Sequence, residues 1–335
     1  MELNDILKVD KKQMFKTYDN WPEIARDSFE EKFKKIDVKD IDHIVFAGMG
    51  GSGSIGDTIQ AILSKKNIHV SLTKGYLLPK TVDSKTLVIA TSVSGNSAET
   101  LEIIRNVKKT EATAIGFSSG GILERLCLDN NIMYQKISMI HSPRASFTKF
   151  LFSILNILES IIPIKKNEVL DTISTLEQTR KNIFSENLTE ENVSLDIAKF
   201  VTDPVCIYYP AGLKAAAIRY KNSLQENSKM HAMVEDIIES CHNGIVAWEK
   251  NSNVKPILVQ GLDDNNKTIE RWSILKEFFE IKDVTYKTIK SVEGNILSKI
   301  MDLVYTLDYS TLYTSVLRNV DPSPVDSIDF IKSKL

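Results

Sequence analysis

Apolar residues fall along this chain in short unbroken runs, separated by polar stretches in which they recur at helical spacing. His43–Ala47 (HIVFA), Thr86–Thr91 (TLVIAT) and Val205–Tyr209 (VCIYY) are such runs, rich in branched and aromatic residues. A strand covered on both faces reads this way. Further strands are expected at 68–72, 112–117 and 132–135, and later at 256–260 and 283–288. Helices are expected between them, at 54–65 and 98–109 in the first half. Strand and helix in alternation predict parallel sheets flanked by helices, so the fold class is α/β with two such domains.

The remaining stretches fill in around the sheets. Residues 1–35 carry Ile24, Phe29 and Phe33 at helical spacing among many charges, with Pro22 at a helix start. They read as a helical packing segment and a candidate dimer element. Residues 145–162 read as a long helix opened by Ser142-Pro143-Arg144. Residues 167–200 are polar and helix-like, a connector without Pro, Gly or Ser low complexity. After Tyr209, the turn Pro210-Ala211-Gly212 and a helix at 213–225 repeat the layout of 44–63 without its serines, so the second half looks like a degenerate copy. Residues 293–318 are helical, Asp321-Pro322-Ser323-Pro324 is a turn, and 326–334 is a last short helix. The expected organisation is a helical segment (1–40), a first α/β domain (41–162), a connector (163–200) and a second α/β domain (201–335).

Two strand-to-helix turns stand out. The first is GMGGSGSIGD from Gly48 to Asp57, and the second is TSVSGNSAET from Thr91 to Thr100. A strand, a glycine turn and a helix present bare backbone N–H groups to an anion. The second turn adds hydroxyls at Ser92, Ser94, Ser97 and Thr100. Neither turn contains lysine. Together they describe a phosphate cradle of neutral donors, suited to a phosphomonoester of about −1.5 to −2 charge. Gly48, Gly50 and Gly53 do satisfy G-x-G-x-x-G. The acidic residue that a dinucleotide ribose needs about 20 residues on is missing, however, since that region is His69-Val70-Ser71-Leu72-Thr73-Lys74. No Gly-Lys-Ser/Thr marks a nucleotide P-loop. A further cluster, Gly116, Ser118, Ser119, Gly120 and Gly121, reads as a plain loop.

Composition narrows the partners. A net charge of −2 and a pI near 6.3 leave no basic field for nucleic acid or a membrane surface. The longest apolar stretch, residues 150–164, is interrupted by Ser153, Asn156, Glu159 and Ser160 and is too short to span a bilayer. The first residues, MELNDILKVDKK, lack the apolar core of a signal peptide. Cys127, Cys206 and Cys241 are odd in number and widely spaced. That fits reduced thiols in a cytoplasmic protein and offers no metal pattern.

The paired turns resemble the signature of the sugar isomerase (SIS) domain. Further motifs are SPR at 142–144, ENSK at 226–229, HNGIVAWE at 242–249 and LRNVDPSPVDSIDFIKSKL at the end of the chain. With these, the chain from about Trp21 onward resembles the bifunctional phosphoglucose/phosphomannose isomerase family. The resemblance implies two SIS domains, a small-molecule sugar phosphate as substrate, no metal or organic cofactor, and a homodimer.

Moving a carbonyl between C1 and C2 of a sugar phosphate needs a base, a ring-opening group and a stabiliser for the enediolate. On the residues alone the candidates stay open: Glu226 is one acid among many, His242 lies in a turn-prone stretch with His231 as competitor, Lys332 has Lys334 beside it, and Arg144 reads equally well as a solvated arginine. The resemblance assigns the roles. Glu226 matches the base. His242, contributed by the neighbouring subunit in this family, and Lys332 match the ring-opening pair. Arg144 matches the group that steadies the intermediate. Gly51, Ser52, Ser92, Ser94 and Ser97 match the phosphate and sugar contacts. Departures from the family are Ser97 and Ser323 where Thr is usual, Met230-His231 for an apolar-Pro pair, Gly244 for Glu, and Ala247 for Gly. An SIS protein that binds sugar phosphate as a sensor, without turnover, is the competing reading. A sensor has no need of Glu226, His242 and Lys332 together.

Overall fold

The computed structural model describes residues 1–334. The last residue of the expected 201–335 domain lies outside the described residues. Three short helices open the chain, α1 (Leu3–Val9), α2 (Met14–Asp19) and α3 (Trp21–Glu30), where the pattern predicts one helical segment. The break after α1 has a local cause. The Asp10 carboxylate accepts the Phe15 amide at 2.9 Å, and Gln13 turns with φ 53°. The chain divides into two compact units, one of residues 20–170 together with 332–334, the other of residues 1–19 and 171–331.

The 20–170 unit contains β1 (His43–Ala47), α4 (Gly50–Leu63), β2 (His69–Thr73), β3 (Thr86–Thr91), α5 (Ala98–Val107), β4 (Thr113–Ser118), α6 (Gly121–Asp129), β5 (Met133–Lys136) and α7 (Phe147–Ile157). All five strands are parallel, in the order β2-β1-β3-β4-β5. Alternate residues of each strand face opposite layers. Val45, Ala47, Val88 and Ala90 pack with Leu101 and Ile104 of α5 and Leu123 of α6. On the opposite face Phe46 and Leu72 approach α4 so closely that a Cβ at Gly56 would lie 2.9 Å from Phe46 Cβ. Helix α3 packs on α7, with Trp21 and Phe147 ring centres 6.2 Å apart. The Asn156 amide donates to the Glu31 carbonyl at 2.9 Å.

The other unit takes in most of α8 (Lys166–Ile183), then α9 (Val193–Phe200), β6 (Val205–Tyr209), α10 (Lys214–Asn227), β7 (Ala232–Asp236), α11 (Ile237–Ser240), β8 (Lys255–Gln260), α12 (Asn266–Ile281), β9 (Lys287–Lys290), α13 (Ile296–Leu317) and α14 (Asp326–Lys332). Its strands are parallel in the order β7-β6-β8-β9. Strand β7 is absent from the expected set, and β9 begins four residues later than expected. The stretch read as a helical connector is two helices joined by an irregular segment, 184–192.

Helix α13 is buried along nearly its whole length, the mark of a helix covered all round. It carries a tyrosine column at i, i+4 and i+8. Tyr305 donates to the Tyr18 carbonyl at 2.7 Å, Tyr309 to Asp19 Oδ1 at 2.6 Å, and Tyr313 to the Ile183 carbonyl at 2.7 Å. These bonds fasten α2 and the end of α8 to α13. Among the described residues, no helix is long and apolar enough to cross a membrane.

Candidate functional site

In the 20–170 unit the connection from β1 leads to β2 on one side, and β3 starts a run of strands on the other. The crevice between β1 and β3 is the point where strand order reverses, and ligands of open α/β sheets bind there, beyond the carboxyl ends of the strands. Both Gly/Ser turns lie at those ends. Helix α4 starts at Gly50, earlier than the pattern suggests, with Met49 as an extended cap. Gly50, Gly51 and Ser52 therefore form its first turn, where amides have no intrahelical acceptor and the helix field favours an anion.

The turns are joined. The Val93 amide donates to Ser52 Oγ at 3.3 Å. A Cβ at Gly48 would come within 2.9 Å of the Thr91 carbonyl oxygen, so the two backbones meet only across a glycine. Within the second turn, Ser92 Oγ and Ser97 Oγ lie 3.1 Å apart, the Ser97 amide donates to Ser92 Oγ at 3.4 Å, and the Asn96 amide donates to Ser94 Oγ at 3.3 Å. Gly95 has φ 72°, and a Cβ there would collide with the Gly120 oxygen at 1.8 Å. The cluster from Gly116 to Gly121 is thus more than a loop: it buttresses the second turn. Ser119 donates to the Val93 carbonyl from both its amide (2.9 Å) and its hydroxyl (2.7 Å), and Asn96 Oδ1 accepts the Ile122 amide at 3.1 Å. Ser52 and Ser92 are buried, while Gly51, Ser94 and Ser97 are half-exposed.

Arg144 is also in this unit. It stands in the turn before α7, and it is buried to 5% exposure, which removes the solvated-arginine reading. Ser146 shapes that turn by accepting the Ile140 amide at 2.8 Å and donating to the Ser142 carbonyl at 2.9 Å. Lys332 ends α14, is exposed, and groups with the 20–170 unit.

Glu226 and His242 belong to the other unit. Glu226 is half-buried near the end of α10. Its setting is rigid. The Asn227 amide group donates to Thr311 Oγ1 and Ser228 Oγ to the Thr311 carbonyl, both at 2.8 Å, so α10 ends clamped to α13. Lys229, at φ 54°, donates to the Glu226 carbonyl at 2.6 Å and to the Pro322 carbonyl at 3.3 Å. Two turns before Glu226, the buried Arg219 donates from Nε to Asp308 Oδ2 at 2.8 Å, and Ser223 donates to Asp308 Oδ1 at 2.7 Å. Burial works against the Arg219 charge. Asp308 beside it and Glu226 along the helix outweigh this, and its pKa stands above the ordinary value.

His242 is exposed in the turn between α11 and a 3-10 helix (Gly244–Glu249). Its amide donates to the Glu239 carbonyl at 2.9 Å, and Asn243 bonds the Glu239 carboxylate at 2.8 Å. A Cβ at Gly244 would lie 2.2 Å from Glu235 Oε2, so the Glu235 carboxyl of β7 fills the space that a larger residue would need.

Arg219, Asp308 and Glu235 were not singled out by the sequence, and Lys229 only as the last residue of the ENSK motif. Nor was Lys74, which follows β2 and pairs with Asp57 of α4 at 2.6 Å. The signal for Lys74 is a lysine directly after a strand whose neighbour carries the glycine turn.

Two parallel sheets, one with two Gly/Ser turns joined at its switch point, make an SIS-type fold. The SIS domain family matches residues 38–159, and the family described as bacterial phospho-glucose isomerase C-terminal SIS domain matches residues 190–335. The chain is 30% identical to a bifunctional phosphoglucose/phosphomannose isomerase of Caldicellulosiruptor bescii, over 96% of this chain and 98% of that one. It is 28% identical to a D-glucosamine-6-phosphate 4-epimerase of Sulfolobus acidocaldarius, over 73% and 77%. Among solved structures it resembles the C-terminal domain of glucosamine-fructose-6-phosphate aminotransferase from Francisella tularensis. That likeness has a TM-score of 0.67 at 18% identity, covers 92% of this chain and 97% of that one, and speaks for the fold alone. The chain belongs to the bifunctional phosphoglucose/phosphomannose isomerase family.

Proposed function

We propose that the protein is an aldose–ketose isomerase that interconverts glucose 6-phosphate, and mannose 6-phosphate, with fructose 6-phosphate by proton transfer through an enediol. The observation that carries this reading is the hydrogen bond between the Val93 amide and Ser52 Oγ, which makes one cradle of two turns at a strand-order switch point. Gly51, Ser52, Ser92, Ser94 and Ser97 hold the phosphate through neutral donors. Glu226 takes the proton from one carbon and returns it to the neighbour. His242 and Lys332 open the ring, and Arg144 faces the negative oxygen of the intermediate. No metal or organic cofactor enters this chemistry. Glucose and mannose phosphates differ at C2 alone, so one planar enediol serves both if it can rotate in the pocket.

In this reading the domain of residues 41–162 is the cradle. The domain of residues 201–335 supplies Glu226, His242 and Lys332, with 1–40 and 163–200 as helical segments around them. The active form is a homodimer in the cytoplasm, with His242 reaching across the interface.

The test is a direct assay of fructose 6-phosphate conversion, with Glu226→Gln as control. Turnover of all three sugar phosphates, abolished in the variant, is expected. Turnover that survives Glu226→Gln overturns the assigned base, and activity on glucose 6-phosphate alone removes the mannose half. Because one relative is named for 4-epimerisation of an amino sugar phosphate, the same preparation is offered glucosamine 6-phosphate; an epimerised product there, without fructose 6-phosphate turnover, overturns the isomerase reading.

A further inference from the structure

Lys74 lies against the cradle without a role in the reading above. The preceding residue, Thr73, accepts the Gly48 amide at 3.2 Å, which ties the end of β2 to the first turn. The Lys74 side chain then runs along the first turns of α4. A Cβ at Gly53 would stand 3.3 Å from Lys74 Cε, and 2.9 Å from the Gly48 oxygen, so glycine at 53 makes room for the lysine stem. The ammonium donates to both oxygens of Asp57, at 2.8 and 2.6 Å.

The two partners are unequal. The Asp57 side chain is 5% exposed and fixed on a helix packed against the sheet, whereas Lys74 is 38% exposed. The lysine is also the one on a flexible four-carbon stem. The carboxylate is therefore the anchor and the ammonium the movable member. Gly53 and Asp57 lie one turn apart on one face of α4, so the ammonium sits about one turn, roughly 5 Å, from the first turn of the helix.

We propose that Lys74 is a selectivity residue for the phosphate group, parked on Asp57 while the cradle is empty and turned toward the phosphate when it fills. This rests on the sugar-phosphate reading and names the charge that the Gly/Ser turns lack. A free lysine there would collect any anion. Paired with a buried acid, it offers its charge to an incoming dianion that competes with one carboxylate, and little to a neutral sugar. Asp57 sets how strongly charged the ligand must be.

Lys74→Met is expected to raise KM for fructose 6-phosphate about tenfold, the range of one charge-assisted hydrogen bond, and to leave kcat within about twofold. Lys74→Arg restores most of the loss. Asp57→Asn frees the ammonium and tightens binding of inorganic phosphate. Titration calorimetry with inorganic phosphate on the same proteins reads the pair without turnover. A chain that binds phosphate in a Lys74-dependent way but does not isomerise overturns the reaction assigned above and leaves the pair standing. Folded Lys74→Met with unchanged KM and unchanged phosphate affinity overturns the proposal, even if its melting temperature falls, because a pair that only fastens α4 to β2 would show that pattern.

Discussion

Ser92 serves its own loop before it serves a ligand, because its hydroxyl accepts the Ser97 amide. Ser94 accepts the Asn96 amide at 3.3 Å but is half-exposed, whereas Ser92 is buried and also meets the Ser97 hydroxyl at 3.1 Å. The two substitutions to alanine should therefore differ. Ser94→Ala is expected to raise KM several-fold, the worth of a neutral hydrogen bond of about 0.5–1.5 kcal/mol, with the melting temperature unchanged. Ser92→Ala should raise KM and lower the melting temperature as well. Steady-state kinetics and calorimetry on both variants decide, and an unaltered KM in both would remove the cradle. Gly95→Ala is a stronger case: a positive φ and a 1.8 Å clash with Gly120 should cost at least about 2 kcal/mol and abolish phosphate binding. At this scale the sequence announces residues whose type alone implies the geometry, glycines and serines after a buried strand. Lys74 with Asp57, and Arg219 with Asp308, stay hidden because each pair joins elements that only the fold brings together.

Strand limits were read most sharply where burial is complete. The pattern sets β1, β3 and β6 at their observed limits, and all three lie inside their sheets with both faces covered. The unexpected β7 (AMVED) and the displaced β9 (KTIK) are the two edges of the smaller sheet; apolar residues run for only three positions in β7 and stand singly in β9. Helix α13 shows the reverse situation: its length is plain from the sequence, but its buried polar groups are not. Burial pushes the Asp302 carboxyl up to about 6, against the hydrogen bonds it accepts from Thr179 and the Val292 amide. Unfolded, it titrates near 3.8, so the folded state holds the proton more tightly, and stability falls as pH rises from about 4 to 6. The cost above that range is about 3 kcal/mol. Asp302→Asn keeps an acceptor for Thr179 and is expected to stabilise the protein by about 1–3 kcal/mol at neutral pH. Urea unfolding should show that gain vanish near pH 4; an equal gain at both pH values would mean that charge is not its source. His43 runs with the opposite sign. Burial and the neighbouring His69, 4.7 Å away between ring centres, lower its pKa. Stability from the neutral ring is full above about 6.5 and declines as pH falls below it. His43→Gln should flatten that acid limb, measured as melting temperature against pH.

The four strands of the smaller sheet follow the order of the first four of the larger, as a degenerate duplication requires, yet the turns beyond them differ. In the smaller sheet the turn after β8 closes on its own acid: Asp264 Oδ2 accepts the Gly261 amide and the Trp272 indole N–H, each at 3.0 Å. The Gly261 amide is thus engaged internally there, while Gly50 to Ser52 form the first turn of α4. In the proposed mechanism one half binds the phosphate and the other half supplies Glu226 and His242, groups that bare residue patterns left among many equals. If His242 reaches the neighbouring subunit's substrate, each site of the dimer needs Glu226 from one chain and His242 from the other. Glu226→Gln and His242→Ala homodimers should then both be inactive. Unfolded together and refolded, they would assemble mixed dimers in which one site has lost both groups and the other has kept both. With random assembly, half the dimers are mixed, and activity should return to about a quarter of that of the unsubstituted protein. Groups that act within one chain would give no recovery at any mixing ratio, so a flat response with mixed dimers verified by mass would assign His242 to its own subunit.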